Sequence, residues 1–140
     1  MKRATLILFA LTLSLSVFAQ NPTEMEKTTN KLAVLWTSDD PDLAEKMAFM
    51  YTYNAKRQGW FDEVVLIIWG PSAKLASENQ MIQDYLKKMK EEGVKIEACL
   101  YCAKMYGVDE KLKELGVDVK GMGTPLSEYL KDDSWKTLSL

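Results

Sequence analysis

Apolar residues fall along this chain in short unbroken runs, separated by longer stretches with a helical period. Leu32-Ala33-Val34-Leu35-Trp36 and Val64-Val65-Leu66-Ile67-Ile68-Trp69 are continuous apolar runs of strand length, the mark of strands buried on both faces. Val94 to Ala98 is a third strand; Lys95 and Glu97 alternate there with Val94, Ile96 and Ala98, so one of its faces is expected to be less buried. Val117 to Val119 and Trp135 to Leu140 complete the set. Between the first two strands, Thr37-Ser38-Asp39-Asp40-Pro41 supplies capping side chains and a proline suited to a first turn. The helix it opens runs to about Gln58, with Leu43, Met47, Met50 and Asn54 on one stripe and Gly59 as the stop. Gly70-Pro71-Ser72 then leads into a helical region, broken near Ser77 to Asn79, that turns Leu75, Ile82, Tyr85, Leu86 and Met89 inward and ends at Gly93. A helix beginning at the cysteines closes at Gly107, a short one covers Asp109 to Leu115, and Thr124-Pro125 starts another that reaches Lys131.

Strands alternating with helices at this spacing predict an α/β fold: a three-layer α/β/α sandwich around a mainly parallel five-stranded sheet. Ligands and reactive groups in such folds gather beyond the carboxyl ends of the strands. Here those ends are Trp36 to Asp40, Trp69 to Ser72, Cys99 to Cys102 and Gly121 to Pro125.

The N-terminal residues break the pattern. Lys2 and Arg3, the apolar stretch from Leu6 to Phe18 and the compact Val17-Phe18-Ala19 predict a signal peptide over residues 1–19, cleaved after Ala19. That stretch falls short of the roughly 20 residues a bilayer span takes, so no stable membrane insertion is expected after cleavage. Residues 20–30 are polar, contain Pro22 and read as a flexible leader; residues 31–140 form one α/β domain. The expected location is periplasmic or secreted. The chain has 18 basic and 20 acidic residues, a formal charge of −2 that grows more negative once Lys2 and Arg3 leave. This acidity argues against nucleic acid as a partner, since its binders present a basic face.

Composition narrows the chemistry further. Histidine is absent from the chain, and with it the usual imidazole base and the usual nitrogen ligand of metal sites. Its two cysteines, Cys99 and Cys102, stand where the third strand becomes a helix. A helix start presents unpaired N–H groups and the positive end of the dipole, both of which favour thiolate. The three-residue spacing brings the sulfurs towards one helix face. A disulfide here would close too short a loop to constrain the unfolded chain much, so a redox or transfer role suits the pair better than a structural one. In that role Cys99, whose sulfur is expected to emerge into solvent at the strand end, attacks and Cys102 resolves. Two other readings of the pair stay open: small buried apolar side chains, or thioredoxin-like exchange, although this motif follows the third strand rather than the first. Zinc wants four ligands and one chain supplies two, so no metal and no cofactor is assigned. Trp36 and Trp69 end two central strands and are candidate walls of an apolar pocket over Cys99. Gly123 and Thr124, at the predicted helix start, are candidates for receiving an anion on backbone N–H groups.

Trp69-Gly70-Pro71-Ser72, Ala98-Cys99-Leu100-Tyr101-Cys102-Ala103, Gly107-Val108 and Gly121-Met122-Gly123-Thr124-Pro125, in this order of elements, resemble the DsrE-like family over about Lys31 to Leu140. The resemblance implies a five-stranded α/β sandwich that assembles into trimers or hexamers, and sulfur-relay members that carry a persulfide on a cysteine. The Gly-Val pair eight residues after the first cysteine places that carrier role on Cys99. Cys102 has no counterpart in the best-known relay subunits, which act in the cytoplasm, so both the second thiol and the export signal depart from the family pattern. The function this implies is a sulfur carrier or sulfurtransferase-like protein whose partners are a sulfur donor or acceptor protein or a small sulfur species. A small-ligand-binding oligomer without catalysis and a thiol–disulfide exchange protein are the alternatives.

Overall fold

Five parallel strands make one sheet in the computed structural model, which describes residues 30–140. They are β1 Lys31–Trp36, β2 Glu63–Ile68, β3 Lys95–Cys99, β4 Asp118–Lys120 and β5 Trp135–Ser139, in the spatial order β4-β3-β2-β1-β5. Every neighbouring pair is parallel, so the sheet is parallel throughout rather than mainly so. Between the strands lie α1 Pro41–Leu43, which continues through a π-helical stretch Ala44–Phe49 into α2 Met50–Arg57, then α3 Ser72–Glu78, α4 Gln80–Glu91, α5 Leu100–Tyr106, α6 Asp109–Glu114 and α7 Gly123–Lys131. The expected signal peptide lies outside the described residues, as does the expected leader apart from Asn30.

Local chemistry sets the helix ends where the sequence placed them. Asp40 Oδ1 accepts the N–H groups of Asp42 at 2.9 Å and Leu43 at 3.4 Å, with Pro41 in the first turn. The break near Asn79 is a recapped junction: Asn79 leaves the helical region at ψ 113° and its Oδ1 accepts the Ile82 N–H at 3.2 Å.

Topology decides which face each helix covers. From β1 through β4 the chain always steps in one direction across the sheet, whereas the last connection runs back from the β4 edge to the β5 edge. Parallel connections are right-handed almost without exception, so the return crossover must lie on the opposite face. The buried side chains divide accordingly. Leu32, Val34 and Trp36 of β1 join the core under α2 to α6, with Phe49, Ile82 and Leu112 among its members. Ala33, Val65, Ile67 and Cys99 point the other way, towards Met122 and the half-buried Leu126 and Tyr129. The sandwich is lopsided as a result, with α7 alone on that second face among the described residues. The central strand is dry on both sides: Val64 is 1 % exposed and Val65 to Ile68 are 0 % exposed. Each such side chain contributes about 1.5–3 kcal/mol of burial.

Candidate functional site

Cys99 ends β3 and stands at the N-cap of α5 with φ −69° and ψ 109°, the extended geometry of a residue entering a helix. Both cysteines are free thiols. Strand alternation turns the Cys99 side chain onto the second face, where it is only 4 % exposed and packs in the cluster that contains Val65, Ile67 and Met122. The expectation that its sulfur emerges into solvent is not met. Cys102, one turn on, is the half-buried member of the pair and the one nearer water.

The two thiols pack in one cluster. Burial first, and the hydrogen bond with the Cys99 sulfur second, push the Cys102 thiol up from its ordinary value, while the N–H groups of Gly70 and of Cys102 itself pull it down in part. The Gly70 amide is available because the turn after β2 is rigidly held. The buried Ser72 hydroxyl donates to the Trp36 carbonyl at 2.7 Å and accepts from the Trp69 N–H at 3.0 Å, and Gly70 takes φ +71°, a conformation that costs other residues a Cβ clash.

The predicted neighbours separate into two groups. Trp69 is half-buried in the same cluster as both cysteines and forms part of their surroundings. Trp36 does not. It is 0 % exposed on the opposite face, edge-on to Phe49 at 4.8 Å, because it keeps the parity of Leu32 and Val34 while Trp69 keeps that of Val65 and Ile67. Its indole Nε1–H is buried without a partner among the described residues. Gly123 and Thr124 do lie at the start of α7, both exposed, but Met122 occupies the N-cap and the Thr124 hydroxyl makes no capping bond. That loop abuts the cysteine segment all the same: a Cβ on Gly121 would sit 3.8 Å from Cε2 of Tyr101, whose ring is 71 % exposed.

Sequence reasoning missed a charged network on the thiol face. Glu97, two residues before Cys99 and so on the same face of β3, is only 6 % exposed. Its carboxylate accepts Lys120 Nζ at 2.8 Å and the Tyr129 hydroxyl at 3.1 and 3.2 Å, and Lys120 Nζ also reaches Asp118 Oδ2 at 2.6 Å. Lys120 is the register partner of Cys99, and Tyr129 comes down from α7. Burial first, then the Glu97 charge, pushes the Tyr129 hydroxyl up to about 12. Burial alone would lower Lys120, but its bonds to Asp118 and Glu97 outweigh that and hold it above its ordinary range. A second row lies at the other end of the same face, where Glu63 pairs with Lys95 at 2.6 Å and Lys31 at 3.2 Å, and Lys31 sits 5.4 Å from the centre of the Trp135 ring. Hydrogen bonds from Lys95 and Lys31 lower the Glu63 carboxyl. The face thus grades from charges at the strand starts to apolar residues and sulfur at the strand ends. The signal was the alternation of Lys95 and Glu97, repeated by Asp118 and Lys120 in β4.

A separate groove of about 270 Å³, lined by Lys46, Met47, Met50, Tyr51, Asn54 and Trp60, lies on the helical side of the molecule and includes none of these residues.

A model of the DsrE/DsrF-like family matches residues 10–139. The chain belongs to the DsrE/DsrF-like family. Among solved structures it is similar to BT1422, a conserved protein of unknown function from Bacteroides thetaiotaomicron, with 40% sequence identity, a TM-score of 0.76, and 79% of this chain and 95% of that one covered. The ychN protein from E. coli, at 15% identity and a TM-score of 0.60, covers 80% of this chain and 99% of its own. MTH1491 from Methanobacterium thermoautotrophicum, at 16% identity and 0.61, covers 79% and 99%. These last two share the fold. No curated protein matches the chain. Within the DsrE/DsrF-like frame, then, the cysteine pair sits beyond a central strand, under the return helix, with a buried carboxylate one step below it.

Proposed function

We propose that this protein carries sulfane sulfur as a persulfide on Cys99, with Cys102 as the resolving thiol. The observation that supports the reading is the pair of free thiols packed in one cluster at the strand-to-helix junction, with Cys99 at the N-cap of α5. Cys99, the N-terminal thiol of the pair, is the attacking sulfur in this reading. In the loading step it bonds to the terminal sulfur of a polysulfide, the donor S–S bond breaks, and the shortened polysulfide leaves with the electron pair. In the release step the Cys102 sulfur attacks the inner sulfur of the persulfide and its proton passes to the outer sulfur that leaves. A Cys99–Cys102 disulfide forms and hydrosulfide departs, so the two thiol sulfurs are oxidised as the carried sulfur is reduced. Alternatively an acceptor thiolate takes the outer sulfur and Cys99 returns to thiolate. Membership of the DsrE/DsrF-like family is consistent with this chemistry. The partners in this reading are a sulfur donor or acceptor protein or a small sulfur species, met outside the cytoplasm by a homo-oligomer, a trimer or hexamer.

Incubating reduced protein with polysulfide and weighing the peptides tests it. Cys102→Ser keeps one added sulfur atom on Cys99, the wild type passes on to the Cys99–Cys102 disulfide with release of hydrosulfide, and Cys99→Ser gains none. A Cys99→Ser protein that takes up sulfur on Cys102 reverses the roles. Thiol–disulfide exchange is the second reading, favoured by Cys102 being the thiol nearer water. It predicts a reduction potential in the catalytic range and no sulfur uptake by either variant.

A further inference from the structure

We propose that α7 is a gate over Cys99 and that the Tyr129 hydroxyl on the Glu97 carboxylate is its latch. The inference rests on the sulfur-carrier reading only for its use, since that reading needs donors to reach a sulfur that is 4 % exposed.

Among the described residues, what covers the second face is a single nine-residue helix. At 1.5 Å per residue it is about 14 Å long, whereas the return from β4 to β5 crosses four strand spacings, about 19 Å. The rest is bridged by the segments at its two ends. At the entrance Met122 is bracketed by Gly121 and Gly123 and is itself 0 % exposed in the cluster of Cys99. A Cβ on Gly123 would meet nothing within 4 Å, so that hinge has free space around it. No side chain caps the helix there. Along its length α7 has no buried residue; Leu126 and Tyr129 are only half-buried against the cluster. Its apolar hold is therefore weak, and elements held this way open at the low end of the stability range.

The polar hold is concentrated at one point. Tyr129 donates to Glu97, which is fastened to β3 by its own backbone and to β4 through Lys120. The Tyr129 ring also leans on Trp135 of β5, at 4.4 Å between ring centres. Because Glu97 and Cys99 share a face of β3, two residues apart, this latch closes over the strand that bears the thiol. Opening swings Met122 and Leu126 off the cluster; closing dries the sulfur. Tyr129 and Glu97 are positioning residues here and touch no reacting atom.

The test reads thiol access without any sulfur donor. In full-length Cys102→Ser protein, where Cys99 is the single thiol, the alkylation rate by iodoacetamide is measured with and without Tyr129→Phe. Losing the bond to the charged acceptor raises the rate about tenfold, and hydrogen exchange quickens at α7 amides while β2 amides stay protected. Leu112→Ala, in the opposite core, lowers stability without raising the rate. Unchanged alkylation in the Tyr129→Phe protein overturns the gate, as does exchange that quickens equally in α7 and β2. A protein that opens in this way yet never takes up sulfur loses the proposed function and keeps the gate.

Discussion

Separating Glu97 from Lys120 should cost the fold very different amounts depending on which partner is removed. At the observed 2.8 Å and an effective dielectric of about 20, the two charges attract by about 6 kcal/mol, much of which offsets the desolvation of Glu97. The partners are not equally placed. The Glu97 side chain is 8 % exposed, whereas that of Lys120 is 37 % exposed and has a second carboxylate, Asp118, at 2.6 Å. Lys120→Met leaves a buried carboxylate with the Tyr129 hydroxyl as its remaining partner in the network, and is expected to destabilise the protein by about 3 kcal/mol. Glu97→Gln keeps a hydrogen-bonding group of the same shape and leaves Lys120 paired to Asp118 in reach of water; it is expected to cost about 1–2 kcal/mol. The double variant should cost less than the two singles together, by about 1.5–3 kcal/mol of coupling. Urea unfolding at neutral pH, with unfolding slopes held equal, measures all four corners of the cycle. Additivity to within about 0.5 kcal/mol, or a Glu97→Gln penalty at least as large as that of Lys120→Met, refutes the claim that burial of the carboxylate governs the network.

Stability should fall at alkaline pH, and the sign follows from the same groups. Tyr129 is pushed up to about 12 in the fold, against about 10 in the unfolded chain, so its contribution is complete below about pH 10 and disappears as pH rises through 12; Lys120, also raised, acts in the same direction. Urea midpoints between about pH 9 and 12 should fall more steeply for the wild type than for Tyr129→Phe, and equal slopes would remove Tyr129 from the account. Trp36→Phe removes a buried N–H that has no partner among the described residues, which offsets the loss of ring volume, so the net change should stay within about 1.5 kcal/mol. As Trp36 lies on the other face, Cys99 alkylation should be unaltered in that variant; an altered rate in a folded protein would mean that the two faces communicate.

How much of this could be read beforehand depended on whether the physics was local. The runs at Leu32 to Trp36 and Val64 to Trp69, the cap at Asp40 and the break at Asn79 depend on neighbours a few residues away, and all were legible. An unbroken apolar run, by contrast, carries no parity. Trp36 and Trp69 look alike in sequence, and it takes the pairing of Trp36 with Ile68 to show that they face opposite ways. Exposure of Cys99 was misjudged because its cover comes from α7, placed there by a crossover whose course depends on strand order. Glu97 read as belonging to a wetter face for the same reason, since Lys120 and Tyr129, which shelter it, are 23 and 32 residues further on.

β5 completes the sheet beside β1, pairing Trp135 with Lys31 and Ser139 with Leu35. The first strand of the domain is thus flanked on one side by the last, across a loop of some hundred residues whose closure must precede any reward from the contacts it makes. During synthesis β1 through β4 can zip in order while that flank of β1 waits, an open row of amides with strand-forming neighbours. Until the C-terminal strand arrives, this edge is the place where two nascent copies would most readily pair in error.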